Sequence, residues 1–108
     1  MQRALIYCRV DGPETESTRE ALCNQRARLI DYAQKKGMEI AGVYMDTGFP
    51  GTTMERPGLQ AVVREAEAGK AEALLVVNRG RLFRGPWPDE LRRLPVKIHA
   101  VNERSLER

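Results

Sequence analysis

Histidine occurs once in the 108 residues, at position 99, and cysteine twice, at positions 8 and 23. Two thiols so far apart and a single imidazole exclude a disulfide framework and a zinc centre, both of which need clustered ligands. No metal and no cofactor is expected, and the thiols read as reduced and inert, in keeping with a cytoplasmic protein. Long apolar runs are missing as well. Nothing approaches the roughly 18 residues a membrane span requires, and the short apolar stretch at the N-terminus is better used as a strand than as a signal peptide. Glycine-rich phosphate loops are also lacking, since neither GxGxxG nor GxxxxGK[ST] follows the first apolar run. Dinucleotide and P-loop nucleotide binding lose their main support.

Hydrophobic residues make up 42% and charged residues 31%, the composition of an ordinary soluble globule, and the length suits one domain with one core. Lysine is scarce, with four residues against fourteen arginines. A GC-rich genome alone yields such a bias, but the distribution is uneven. Arg79, Arg81, Arg84, Arg92 and Arg93 face only Asp89 and Glu90 in one short segment, a surplus as large as the whole net charge of +3. Guanidinium groups present a planar fork of donors that matches phosphate oxygens, so a local anion-binding face is indicated.

The pattern of apolar residues gives an ordered set of elements. "RALIYCRV" reads as a strand buried on both faces and closed by Gly12-Pro13. A helix follows, with apolar residues at 22, 29, 30 and 33, a capping box from Ser17 and Glu20, and a stop at Gly37. "MEIAGVYMD" is a second strand, "TGFPGTTMERPG" a loop, "LQAVVREAEAGK" a second helix and "AEALLVVN" the most apolar strand. "GPWPDELRRL" has room for a short helix with Pro88 in its first turn, and "VKIHAVNE" is a fourth strand. This alternation predicts a three-layer α/β fold with a mostly parallel four-stranded sheet. Ligands of such sheets bind beyond the carboxyl ends of the strands, which directs attention to Arg9 and Asp11, to Asp46 through Arg56, and to Asn78 through Arg84. A receiver-type signalling module shares this topology, but the paired acidic residues it needs after the first strand are missing.

"YCRV", Gln25, "YMDTGFPGTTMERPGL" and "EAGKAEALLVVNRGRLFR" fall in an order, and at strand ends, that resembles the N-terminal catalytic domain of serine recombinases, the resolvase and invertase family. The resemblance covers roughly residues 3 to 102 and implies a resolvase-like, flavodoxin-like topology. In that family a serine at the end of the first strand attacks a DNA phosphodiester while several arginines offset the charge gathering on the phosphoryl oxygens. By position, the resemblance assigns Arg9, Arg56, Arg81 and Arg84 to phosphate binding and Gln25 to the helix glutamine.

The nucleophile position, however, is Asp11, and the family's acidic position before the arginine pair is Gly80. An anionic oxygen approaching an anionic diester is repelled, and an acyl phosphate is prone to hydrolysis, so inactivity is expected and Asp11 is read as an internal ion pair with Arg9. Thr15, Ser17 and Thr18 lie in the same loop, but Ser17 is assigned to capping, and Thr52 and Thr53 to turn amides. Phe83 and Trp87 could stack on bases, although aromatics beside proline-rich turns more commonly pack over a sheet end. Residues 1–108 are read as a single domain without the long dimerisation helix or the DNA-reading module of the family. The leading reading is therefore a catalytically inactive, regulatory or DNA-phosphate-binding remnant, with a protein partner or a homo-oligomer as possibilities. An active recombinase domain completed by a partner chain and a pure protein-interaction module are the alternatives.

Overall fold

In the computed structural model, which describes residues 1–103, the chain builds a four-stranded sheet in the order β2-β1-β3-β4 with every neighbouring pair parallel. β1 spans Arg3–Val10, β2 Glu39–Thr47, β3 Ala73–Val76 and β4 Lys97–Ala100. Ala4 through Val10 are all buried, which is why β1 carries no alternation of apolar and polar residues and occupies the middle of the sheet. Successive side chains go to opposite faces. Ala4, Ile6 and Cys8 pack with Leu22, Leu29 and Ala33 of α1 (Glu16–Lys35), while Leu5 and Tyr7 pack with Leu59, Val62 and Ala66 of α2 (Pro57–Glu67). Burial pushes the Cys8 thiol up to about 12, so it behaves as a small apolar group, whereas Cys23 is exposed. No helix is long and apolar enough to cross a membrane among the described residues.

The strands and both long helices lie where the apolar periodicity puts them, and Gly37, at φ 69°, terminates α1. Three local features differ from the sequence reading. The α1 cap is formed by Thr15 and Thr18, not by Ser17 and Glu20: Thr15 Oγ1 accepts from the Thr18 amide at 3.2 Å and Thr18 Oγ1 accepts from the Thr15 amide at 2.8 Å. A second hydroxyl closes this reciprocal box two residues earlier and leaves Ser17 exposed in the first turn. The segment after β3 is not all loop, because Arg79–Leu82 forms one helical turn, α3, capped by Asn78, whose Oδ1 accepts from the Arg81 amide at 3.0 Å. Pro88 stands at the N-cap of the short α4 (Asp89–Arg92) instead of inside its first turn.

β2 and β4 are the sheet edges. The β1–β2 register slips between Ala4 and Leu5, which pair with Ile40 and Gly42, so Ala41 is an extra residue. The Tyr44 ring lies over Gly42, where a Cβ would stand 2.8 Å from Tyr44 Cε2. On the opposite edge His99 Nδ1 shares a hydrogen bond of 2.9 Å with the Tyr32 hydroxyl, and its Nε2 is buried with no partner.

Burial, reinforced by the charges of Lys97 and Lys36, holds the His99 imidazolium pKa below its ordinary 6.5. The folded protein thus favours neutral His99, and the unfolded chain takes up the proton first as pH falls. Stability is expected to be fully present above pH 6.5, to decline as pH falls through the lowered folded value, and to lose this part of its slope in His99→Gln, as measured by urea midpoints across that window.

Candidate phosphate-binding site

Parallel pairing of β1 with β3 ends at Ile6 and Leu75, so beyond it the two strands diverge and a gap opens at their carboxyl ends. Arg9 stands in that gap with its backbone deprived of a strand partner on the β3 side. Gln25 of α1 takes the partner's place: its Oε1 accepts from Arg9 N–H at 3.2 Å and its Nε2 donates to Arg9 C=O at 3.0 Å. Gln25 is itself buried and acts as a side-chain substitute for a missing ladder.

Four of the five N–H groups of the Arg9 guanidinium are engaged. Nε donates to Arg81 C=O at 3.0 Å, Nη2 to Gly80 C=O at 2.9 Å and Nη1 to Phe49 C=O at 3.1 Å, while Nη1 also pairs with Asp11. Gly51 permits this packing, because a Cβ there would lie 2.8 Å from Arg9 Nη2 and 3.2 Å from Arg84 Cβ. Arg56 is fully buried below it. Its Nε donates to Thr53 C=O at 2.8 Å and its Nη1 to the Tyr7 hydroxyl at 3.0 Å, with Nη2 on Leu82 C=O. Two arginines thus grip the consecutive carbonyls of Gly80, Arg81 and Leu82, which a single helical turn leaves unsatisfied.

Asp46, at the end of β2, completes the buried layer. Its carboxylate accepts from Tyr7 Oη at 2.7 Å and from the amides of Gly58 and Leu59 at 2.8 and 3.0 Å, so it caps α2 from a neighbouring strand while the N-cap residue Arg56 supplies no side-chain cap. Gly58 must be glycine for this approach, since a Cβ would sit 2.9 Å from Asp46 Oδ2. Burial first, and then the hydrogen bond to Asp46, keep the Tyr7 phenol well above its ordinary pKa, hence protonated and able to donate.

Above this layer lies an open cleft of about 210 Å³ lined by Arg9, Asp11, Asn78, Gly80, Arg81 and Arg84. Its walls are polar and its charge is set by three guanidinium groups against one carboxylate. Asp11 bridges Arg9 and Arg84. Partial burial disfavours its charged form, but the hydrogen bonds and charges of Arg84 and Arg9 outweigh that and hold the carboxyl below its ordinary value. The Arg81 side chain has no acidic partner among the described residues. No hydroxyl side chain lines the cleft among those residues, Thr15 and Thr18 being committed to the α1 cap.

The six site residues read from the sequence therefore divide. Arg9, Asp11, Arg81 and Arg84 meet in the cleft, whereas Gln25 and Arg56 stand behind it as supports. Asp46, Gly51 and Asn78 fall within the strand-end segments to which the sequence directs attention, but it assigned none of them a role. An aspartate ending a strand ahead of an Arg-Pro-Gly helix start is a signal that could have exposed the first. Phe83 and Trp87 pack against the core, with the Arg79 guanidinium 5.6 Å from the Trp87 ring centroid, so packing over the sheet end is what the structure shows. Thr53 Oγ1 accepts from the Glu55 amide at 3.1 Å, a turn contact. Among the described residues no three His, Cys, Asp or Glu side chains cluster as a metal site would require.

A parallel α/β sheet with an arginine-lined cleft at the point where its strand order reverses defines a domain of the flavodoxin-like class. The chain belongs to the family described as "Resolvase, N terminal domain", whose model matches residues 4–105. The C-terminal catalytic domain of ISC1926 TnpA, an IS607-like serine recombinase, is similar at 28% identity and a TM-score of 0.80, over 92% of this chain and 70% of that one. The N-terminal catalytic domain of TP901-1 integrase is similar at 27% identity and a TM-score of 0.80, over 94% of this chain and 79% of that one. A serine recombinase from Sulfolobus solfataricus shares the fold at 21% identity, with a TM-score of 0.74 over 99% of this chain and 73% of that one. No curated protein matches the chain. The fold, the family and the relation to DNA recombination thus agree with the resemblance seen in the sequence.

Proposed function

We propose that this is a serine-recombinase-type domain without strand-cleaving chemistry, whose phosphate cradle is occupied by its own Asp11 and makes weak, sequence-blind contacts with DNA phosphates in a regulatory role. The observation that supports this reading is the Asp11 carboxylate bridging Arg9 and Arg84. A phosphoryl oxygen would need the same donors. The carboxylate offers the cradle an anion without offering the diester an alcohol, and Gly80 stands where the family has an acid. A DNA phosphate competes for Arg81 and for Arg84, which is exposed, while the buried Arg9 holds Asp11 in place. Such contacts act through charge, so they fall steeply with salt. A cytoplasmic setting, where DNA is accessible, fits the same reading.

Two measurements test it. At about 50 mM salt, Asp11→Asn is expected to bind duplex DNA roughly tenfold more tightly than the native chain, with a log K against log salt slope steeper by about 0.9 for each further phosphate neutralised. On supercoiled DNA the native chain is expected to produce neither nicks nor a covalent protein–DNA adduct. Nicking that Asp11→Ala abolishes would overturn the claim of inactivity. Absence of DNA binding by both proteins at that low salt would instead favour association with protein alone.

A further inference from the structure

We infer that the cleft prefers a phosphate monoester at a DNA end, a dianion, over the monoanionic diesters of the duplex backbone. This rests on the DNA-contact reading above and names the ligand of that same site. The ground for it is charge. Arg9, Arg81 and Arg84 line the cleft with one carboxylate, Asp11, so three guanidinium groups against one acid leave a surplus of two positive charges. The surroundings do not alter that surplus. In the layer beneath, the buried Arg56 is offset by the buried Asp46, and Arg79, at the start of α3, pairs with Glu103 at 3.6 Å.

Asp11 cannot answer all three arginines. Its two oxygens are taken by Arg9 and Arg84, and Arg81 has no acidic partner among the described residues. The carbonyls of Phe49, Gly80 and Arg81 fix the Arg9 guanidinium, so Arg9 keeps Asp11 when a ligand arrives. An incoming phosphate therefore meets Arg81, the exposed Arg84 and Asn78. Asn78 Oδ1 accepts from the Arg81 amide at 3.0 Å, which leaves its Nδ2 a donor without a protein partner among the described residues. The cleft, at about 210 Å³, is smaller than the roughly 300 Å³ at which small-molecule pockets begin, and suits a single phosphate group.

Charge then decides between two kinds of phosphate. An internal diester carries one negative charge. Its phosphoryl oxygens gather a second only during displacement at phosphorus, a step for which no hydroxyl lines the cleft among the described residues. A terminal monoester holds both charges at rest above its second pKa of about 6, spread over three oxygens, and brings chain on one side only.

Fluorescence anisotropy at about 50 mM salt compares duplexes of one sequence ending in 5′-phosphates, 3′-phosphates or hydroxyls, with a hydroxyl-ended duplex lengthened to the same total charge. At about pH 7.5 a phosphate-ended duplex is expected to bind about tenfold more tightly than either hydroxyl-ended one, the two phosphate arms showing which end is taken. At about pH 5, where the monoester keeps a single charge, the preference should shrink to about twofold. Asp11 is the only lining group that could titrate. Burial opposes its charge, but Arg84 and Arg9 hold its carboxyl below its ordinary 3.8, so it stays ionised across this range. Because the preference scales with the surplus, Arg81→Gln should cut it to about threefold and Asp11→Asn should widen it to about thirtyfold. Equal binding of phosphate-ended and charge-matched hydroxyl-ended duplexes overturns the inference and leaves the DNA-contact reading standing, whereas no binding of any duplex removes both. A preference that persists undiminished at the lower pH, or that ignores both substitutions, overturns it as well. So does a phosphoserine peptide that competes better than end-phosphorylated DNA, which would put a protein partner in the cleft. The pH series needs only the native chain and decides even if a variant does not fold.

Discussion

Arg56→Met is expected to lower the unfolding free energy by about 3–5 kcal/mol, seen as a fall in the urea midpoint with an unchanged slope. The expectation comes from an asymmetry. Burial opposes the charge on Arg56 and lowers its pKa, so the guanidinium is not there because charge is welcome in the interior. Its partners are the main-chain carbonyls of Thr53, Arg81 and Leu82 together with the Tyr7 hydroxyl, and no substitution can remove the carbonyls. Methionine fills similar space but strands the Thr53 and Leu82 carbonyls without donors, while Arg81 C=O keeps Arg9 Nε. Arg81→Ala, which removes a side chain that none of the carbonyls needs, should change stability by no more than about 0.5 kcal/mol. If Arg56→Met cost less than about 1 kcal/mol, the carbonyls would have found water and the staple would not exist. The contrast also matters for functional assays, because loss of DNA binding in an Arg56 variant would report a collapsed cradle rather than a lost phosphate ligand.

Asp46→Ala should cost a comparable amount, about 3–5 kcal/mol. One carboxylate accepts from Tyr7 Oη and from the amides of Gly58 and Leu59, so its removal frays the start of α2 and leaves a buried phenol unpaired at the same time. Tyr7→Phe removes only one of those bonds and should lose about 1 kcal/mol. Thermal or urea unfolding of the two variants distinguishes a shared network from a local cap. Equal losses would mean that the helix cap contributes nothing beyond the phenol contact.

What the sequence revealed and what it concealed follow from the range of the interactions. β1 was legible because a run such as Ala4–Cys8 can be apolar throughout only between two covering layers, and Gly37 because a left-handed residue must end α1. Arg9 and Asp11 were legible as a pair because they are two residues apart at a strand end. Arg56 was not legible as a buried residue. Nothing local distinguishes an arginine in a polar loop that faces solvent from one that turns inward, and its carbonyl partner at Leu82 is 26 residues away in sequence. The partners of Asp46 were hidden for the same reason, since they arrive with a helix that begins after a long loop. α3 was missed because a single turn containing Gly80 has no periodicity to read, and the α1 cap shifted because Thr15-x-x-Thr18 and Ser17-x-x-Glu20 satisfy the same local rule.

The grip of Arg9 on the Arg81 carbonyl joins residues 72 positions apart. During synthesis the first strand and α1 leave the ribosome well before that carbonyl has been made. Until it arrives the guanidinium has to remain hydrated, and the top of the young sheet cannot dry out. Closure of such a long loop is slow. The cradle closes no earlier than the β1–β3 pairing that brings Ala4 to Ala73, and a nascent chain displays this cationic strand end before it possesses the pocket that conceals it.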